Sequence, residues 1–223
     1  MSINTETYLR IRDELAAVNV ALVAVSKTKP VEDIRALYDL GHRDFGENYV
    51  QELADKAARL PADIRWHFIG HLQSNKVKYI APFVSLIHGI DSIKLLQEVN
   101  KQAAKNNRVI DCLLQVHIAS EETKFGFDAD SLREALPVLT ASDAPYGSIR
   151  IRGLMGMASF TDNEQQVKQE FNHLHQLFSY TQQQIPAAHD FSVLSMGMSS
   201  DYRLAVAEGS TMVRIGSLLF GSR

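Results

Sequence analysis

The sequence predicts an α/β fold: a single (β/α)8 barrel of the TIM type, with an extra helix at its N-terminus. Three observations carry the prediction. Apolar runs of strand length alternate with amphipathic helical stretches along the chain. Eight strand candidates can be counted, and alternating βα units imply parallel strands that close into a barrel at eight. The chain has 223 residues, a length that such a barrel fills as one domain. An open doubly wound sheet is the rival reading, because one missed or invented strand breaks the count.

Residues 3–18 read as the leading helix, with Ile3, Tyr8, Ile11, Leu15 and Val18 near helical spacing. Residues 21–25 are apolar throughout, which suits a strand buried on both faces. Pro30 opens a second helical pattern through Val31, Ile34, Leu37 and Tyr38, and Gly41 stops it. A short segment at 43–46 precedes a helix over about 48–59. Residues 66–70 and 84–88 are the next strand candidates, separated by a polar helical stretch. A helix over roughly 92–105 leads into what reads as the longest strand, 109–118, and residues 130–140 read as helix. Residues 149–155 form the next strand. The clearest helix is 164–184, where Val167, Phe171, Leu174, Phe178 and Thr181 repeat at steps of three and four. A strand at 191–194, a helix at 200–208 stopped by Gly209, and a strand at 212–215 with no helix expected after it complete the pattern. No linker composition, low-complexity tract or internal repeat interrupts it. Residues 1–223 are therefore expected to form one domain, with the barrel spanning about 21–223.

Composition narrows the function. With 45% hydrophobic and 22% charged residues, the chain is ordinary soluble-globular material able to bury a substantial core. A formal charge of −3 supplies no basic excess to displace counterions, so no nucleic-acid partner is expected. The single cysteine, Cys112, allows neither an internal disulfide nor a cysteine-rich zinc site; with Ile110 and Leu114 on its side it reads as a buried, inert thiol. The polar N-terminus is no signal peptide, and no stretch of about 18 uncharged apolar residues suggests a membrane span. A cytoplasmic protein is the expectation. His67 and His71 need not share a face, His173 and His175 point to different faces, and no HExxH motif or carboxylate cluster accompanies them. No metal is expected, and P-loop and GxGxxG motifs are absent.

A barrel carries its active face at the C-terminal ends of its strands. Ser26, Lys27, Thr28 and Lys29 follow the first strand, Gly46, Glu47, Asn48 and Tyr49 the second, and residues 70–76 the third. Later strands give Ala119 and Ser120 with Lys124, then Met155, Gly156 and Met157, then residues 195–200, and last Arg214, Ile215, Gly216 and Ser217. Lys27 either reaches solvent or, in a desolvated cationic mouth, has its pKa lowered and offers an amine to an aldehyde as a Schiff base. Lys29 is the near alternative, because alternation along an extended segment can put both lysines on one side. The turns after the last two strands suit an anion. Ser199 or Ser200 can cap the helix that Asp201 opens, Gly216 allows close backbone approach, and Ser217 adds a hydroxyl. Ordinary capping explains either turn alone. Arg214 is either half of a structural salt bridge or a fixed donor to a ring nitrogen or phosphate.

Several segments together resemble one family. Residues 24–30, 45–52, 66–76, 152–155, 194–199 and 209–216 are similar, in order, to the YggS/PROSC pyridoxal phosphate homeostasis proteins, and the third segment is long and very specific. The resemblance implies a fold type III barrel like the N-terminal domain of alanine racemase, binding pyridoxal 5′-phosphate (PLP). It implies Lys27 as the Schiff-base lysine and Arg214 as the partner of the pyridine nitrogen. Ser199, Gly216 and Ser217 would hold the phosphate, Asn48 would lie near the ring, and Lys29 would be an accessory lysine. Ser217 stands where the family often has threonine, which keeps the hydroxyl, and Ser200 also varies from common members.

The same resemblance implies a carrier or regulator in intracellular PLP (vitamin B6) homeostasis, with indirect effects on amino-acid and 2-oxo-acid pools. PLP works as an electron sink that the protein directs. An arginine donating to the pyridine nitrogen keeps that nitrogen unprotonated and weakens the sink. A racemase also needs a second base, supplied in the alanine-racemase fold by a second domain across a dimer. A last strand ending near residue 215 leaves too little chain for one. A weak amino-acid racemase or another PLP-dependent enzyme with an open site is the alternative. PLP-dependent apoenzymes are the candidate recipients, and a monomer is the expected state.

Overall fold

The computed structural model describes residues 3–120, 125–140 and 146–221. Lys124 lies outside these residues. The strands are β1 Ala21–Val25, β2 Asp44–Glu47, β3 Arg65–Phe68, β4 Leu86–Ile90, β5 Ile110–His117, β6 Ile149–Met157, β7 Val193–Ser195 and β8 Met212–Ile215. All pair in parallel in chain order, and β8 returns to β1 through the pairs Ala21–Met212, Leu22–Val213, Val23–Arg214 and Ala24–Ile215, closing the barrel. Helix α1 (Thr5–Ala16) precedes the barrel. Successive strands are joined through α2 (Val31–Asp39), α3 (Val50–Ala57), α4 (Val77–Ile80), α5 (Ile93–Lys105), α6 (Ala129–Thr140), α7 (Glu164–Gln182) and α8 (Tyr202–Ala207), and α9 (Ser217–Phe220) follows β8. Among the described residues no helix is long and apolar enough to cross a membrane.

The apolar run of β1 has the cause inferred from its composition. Val23 joins Leu86, Leu113, Met155 and Met212 in a small cluster inside the barrel, while Leu22 and Ala24 belong to the large core between strands and helices. Helix ends follow local chemistry. The side chains of Asn4, Ser92 and Asn163 accept the N–H groups of Thr7, Leu95 and Gln166 and cap α1, α5 and α7. Gly41 takes φ +92° just past α2, the left-handed conformation that glycine enters without a Cβ clash. Helix α1 is fastened near the last turn of the barrel: Leu219 O accepts the Asn4 N–H at 2.8 Å, and the Glu14 carboxylate accepts Arg203 Nε at 3.0 Å.

Four expectations need correction, and the first is that the strand expected at 84–88 lies at Leu86–Ile90. The longest strand is β6, with nine residues against eight in β5, because Met155, Gly156 and Met157 go on pairing with Gln115, Val116 and His117. Those three residues therefore lie within β6, not after it. The strand expected at 191–194 is shifted to Val193–Ser195; Phe191 stacks on Phe178 instead, with ring centroids 5.1 Å apart. The eighth strand does have a helix behind it, since Gly216 starts a single turn too short to leave a periodic signal.

Candidate functional site

A cavity of about 510 Å³ opens at the C-terminal ends of the strands, a volume within the range of small-molecule sites. The structure brings all seven residues singled out above to its lining: Lys27, Lys29, Asn48, Ser199, Arg214, Gly216 and Ser217. Val25, Ile69, Met157 and Met198 add apolar wall, and Phe160 lines it while remaining 95% exposed.

Lys27 follows β1 in a tight turn. The Lys29 N–H donates to the Ser26 carbonyl at 3.0 Å, and Thr28 takes φ +64°, a strained conformation for a β-branched residue. Side chains of β2 and α3 hold this turn from behind. Glu52 Oε1 accepts the Thr28 N–H at 2.6 Å, and Lys56 Nζ donates at 2.7 Å to Glu52 Oε1, to Glu47 Oε1 and to the Ser26 carbonyl. The Ser26 hydroxyl donates to the same Glu47 oxygen at 2.6 Å. Lys27 thus projects from a base clamped on both sides. Burial pushes the Glu47 carboxyl above its usual range, against the opposing pull of Lys56 and Ser26. Sequence reasoning assigned none of these supports. The Glu52–Lys56 spacing of four on one helix was the available signal.

Lys29 also lines the cavity, but its Nζ donates to the carbonyl oxygens of Phe220 and Gly221 at 3.0 and 3.1 Å, which ties it to the end of α9. Asn48 Oδ1 is buried with no partner among the described residues, an acceptor suited to a ligand hydroxyl.

Arg214 resolves one of the open alternatives. It is 4% exposed, and among the described residues it pairs with no carboxylate, so it is not half of a salt bridge. Its Nη1 donates to the Ser195 carbonyl at 2.9 Å and to Ser195 Oγ at 2.7 Å, and Nη2 donates to the Gly156 carbonyl at 3.1 Å. Those bonds take up three of a guanidinium's five N–H donors, leaving others for the cavity. Burial lowers its pKa to about 10, with the Asp201 carboxylate opposing, so it remains a cation at neutral pH. Ser195 and Gly156 were not expected to orient it.

The capping role expected of Ser199 or Ser200 is not found. The cap position of α8 is Asp201, and the Asp201 carboxylate turns back to accept the Met198 N–H at 2.6 Å. Ser199 Oγ instead accepts the Gly216 N–H at 3.2 Å, which joins the turn after β7 to the turn after β8. Its own hydrogen is then available to a ligand oxygen. Ser217 opens α9, in which the Leu219 and Phe220 N–H groups both donate to the Gly216 carbonyl at 2.9 Å.

The remaining candidates lie elsewhere. His67 turns into the barrel, with Nδ1 3.0 Å from His88 Nε2, whereas His71 stacks on Phe125 at 4.0 Å. Cys112 is fully buried, and burial pushes its thiol far above the ordinary range, which makes it inert.

A closed parallel barrel with a lysine, a buried arginine and two joined hydroxyl–glycine turns around one cavity at its mouth defines the class: a small-molecule-binding (β/α)8 barrel. The chain belongs to the alanine racemase N-terminal domain family, which matches residues 5–223, and within it to the pyridoxal phosphate homeostasis proteins. The pyridoxal phosphate homeostasis protein of Aquifex aeolicus is 42% identical over 203 residues, covering 91% of this chain and 86% of the relative. That of Escherichia coli K12 is 35% identical over 230 residues, covering 96% and 94%. Among solved structures, PipY of Synechococcus elongatus with PLP bound superposes with a TM-score of 0.86 at 37% identity, covering 97% of this chain and 99% of that one.

Proposed function

We propose that this protein binds pyridoxal 5′-phosphate through Lys27 and acts in PLP homeostasis, holding and releasing the cofactor rather than turning over a substrate. The observation that carries the reading is the convergence of an amine, a buried acceptor with no partner among the described residues, a buried cation and two hydroxyl–glycine turns on one cavity. That set fits the group's chemistry. When bound, PLP supplies an aldehyde carbon that takes an amine as a Schiff base, and an electron-withdrawing ring.

In this reading Lys27 is the attachment point, held in place by the clamp on Ser26 and Thr28. Asn48 accepts from the ring hydroxyl. The Ser199 and Ser217 hydroxyls would donate to the phosphate, and Gly216 would let the backbone come close. Arg214 donates to the pyridine nitrogen and, as a cation, keeps a proton off it. The lining supports holding over turnover: among the described residues its titratable side chains are Lys27, Lys29 and Arg214, and Lys29 is tied to α9. The protein works as one domain and a monomer in the cytoplasm, with PLP-dependent apoenzymes as recipients.

The test is direct. Schiff-base absorbance is recorded for the wild type and for Lys27→Ala, and L-alanine or L-serine is then added. The band is expected in the wild type only, without product. Sustained stereospecific turnover would overturn the carrier reading in favour of a weak racemase.

A further inference from the structure

A chain of five side chains runs through the barrel interior from the start of β2 to the cavity. Asp44 Oδ1 lies 3.1 Å from His67 Nε2, and His67 Nδ1 lies 3.0 Å from His88 Nε2. His88 Nδ1 lies 3.1 Å from Ser195 Oγ, which lies 2.7 Å from Arg214 Nη1. Ser195 and His88 are fully buried, and His67 and Arg214 are each 4% exposed.

Hydrogen counting gives the chain one direction. Arg214 can only donate and the Asp44 carboxylate can only accept, so with both rings neutral Ser195 Oγ accepts from Arg214 and gives its single hydrogen to His88 Nδ1. His88 then carries its proton on Nε2 and donates to His67 Nδ1. His67 in turn carries its proton on Nε2 and donates to Asp44. The far end is anchored as an acceptor. Burial raises the Asp44 carboxyl, but bonds from His67 and from Arg65, whose Nε donates at 2.6 Å, outweigh it and hold the carboxyl well below its usual range. At the other end burial, with His67 and Arg214 nearby, keeps His88 neutral and able to accept.

The consequence falls on Arg214. A serine hydroxyl without a second partner rotates, and one rotation aims its hydrogen at the guanidinium. With that hydrogen committed to His88, a lone pair of Ser195 Oγ faces Nη1 at all times.

We propose that His88 is a positioning residue for Arg214: the Asp44–His67–His88 relay locks the Ser195 hydroxyl as an acceptor and thereby fixes which guanidinium N–H is offered to the cofactor's ring nitrogen. This rests on the PLP reading above for the identity of the acceptor, but the relay is a property of the protein without cofactor.

The experiment has two arms. In the cofactor-free protein, nitrogen-15 NMR of the histidine rings is expected to find both His67 and His88 protonated at Nε2 and bare at Nδ1. Either ring protonated at Nδ1 would overturn the relay. In the second arm, His88→Gln keeps an acceptor and a donor, while His88→Phe keeps the ring shape and loses both. PLP is expected to leave the Phe variant about tenfold faster than wild type, and the Gln variant at nearly the wild-type rate. A milder effect in Phe than in Gln would mean that His88 only fills space, and would refute the proposal. If the wild type retains no PLP, the cofactor reading fails by itself. The relay is then judged on slow exchange of the Arg214 guanidinium protons, expected in the wild type and His88→Gln and lost in His88→Phe. Should His88→Phe not fold, the ring tautomers of the wild type still decide.

Discussion

Lys56 Nζ lies 2.7 Å from Glu47 Oε1, with both side chains buried, and the same nitrogen holds the carbonyl of Ser26, the residue before Lys27. An ion pair so placed is costly to break from one side, because the surviving charge stays buried. Lys56→Met is expected to destabilise the fold by about 3–5 kcal/mol. Adding Glu47→Gln to it should recover part of that loss, since the fully buried carboxylate is then gone and only the part-exposed Glu52 is left without Lys56. Urea unfolding of the two single variants and the double variant measures this; strictly additive losses would contradict it.

Gly70, in the long family segment, passes the second loop so closely that a Cβ would lie 2.3 Å from the Asn48 carbonyl oxygen. Gly70→Ala must displace the Asn48 backbone and with it the buried acceptor. Stability should fall by about 2 kcal/mol or more, and PLP retained after dialysis should fall with it. Gly147→Ala, where a Cβ meets nothing within 4 Å, is the control and should change neither.

Stability is expected to fall as pH drops below about 6.5. Burial lowers the pKa of both His42 and His88 below 6.5, so the unfolded chain takes up their protons before the folded protein does. Unfolding is then favoured at a rate of up to about 1.4 kcal/mol per pH unit for each histidine, until the folded pKa values are reached. Glu47, raised by burial, acts in the opposite sense: its contribution is full below pH 4.5 and is lost as pH rises through its folded value. Melting temperatures from pH 8 to pH 5 test the sign, and His42→Gln should flatten the profile.

Lys29 and Lys27 should separate cleanly. Because Lys29 holds the carbonyls of Phe220 and Gly221, its loss loosens α9, which carries Ser217. Lys29→Ala is expected to keep the Schiff-base absorbance and to lose PLP about 2–10-fold faster in stopped dilution. Loss of the band itself would assign Lys29 the role given to Lys27.

Much of this was legible in the sequence, for identifiable reasons. β1 was read with its observed bounds because a parallel strand buried on both faces is an uninterrupted apolar run, and β8 likewise because Met212, Val213 and Ile215 keep that run recognisable around Arg214. The same logic placed Lys27 and the hydroxyl–glycine turns at the mouth, since everything following a barrel strand shares one face. What escaped were contacts that depend on register across strands. Ser195 and Gly156 meet Arg214 across β6, β7 and β8, and Lys56 reaches back from α3 to β1. No spacing along the chain encodes such meetings. The single turn of α9 and the two extra residues of β6, Gly156 and Met157, were missed because four residues carry no period and Gly156 looks like a turn.

The attachment point is the measurement that matters most. Borohydride reduction of the PLP-loaded protein, followed by peptide mass mapping, is expected to find a single pyridoxyl group on Lys27 and none in Lys27→Ala. A reduced adduct on Lys29 or on another lysine, or no adduct in a protein that still retains PLP, would contradict the assignment of Lys27 as the residue that holds the cofactor.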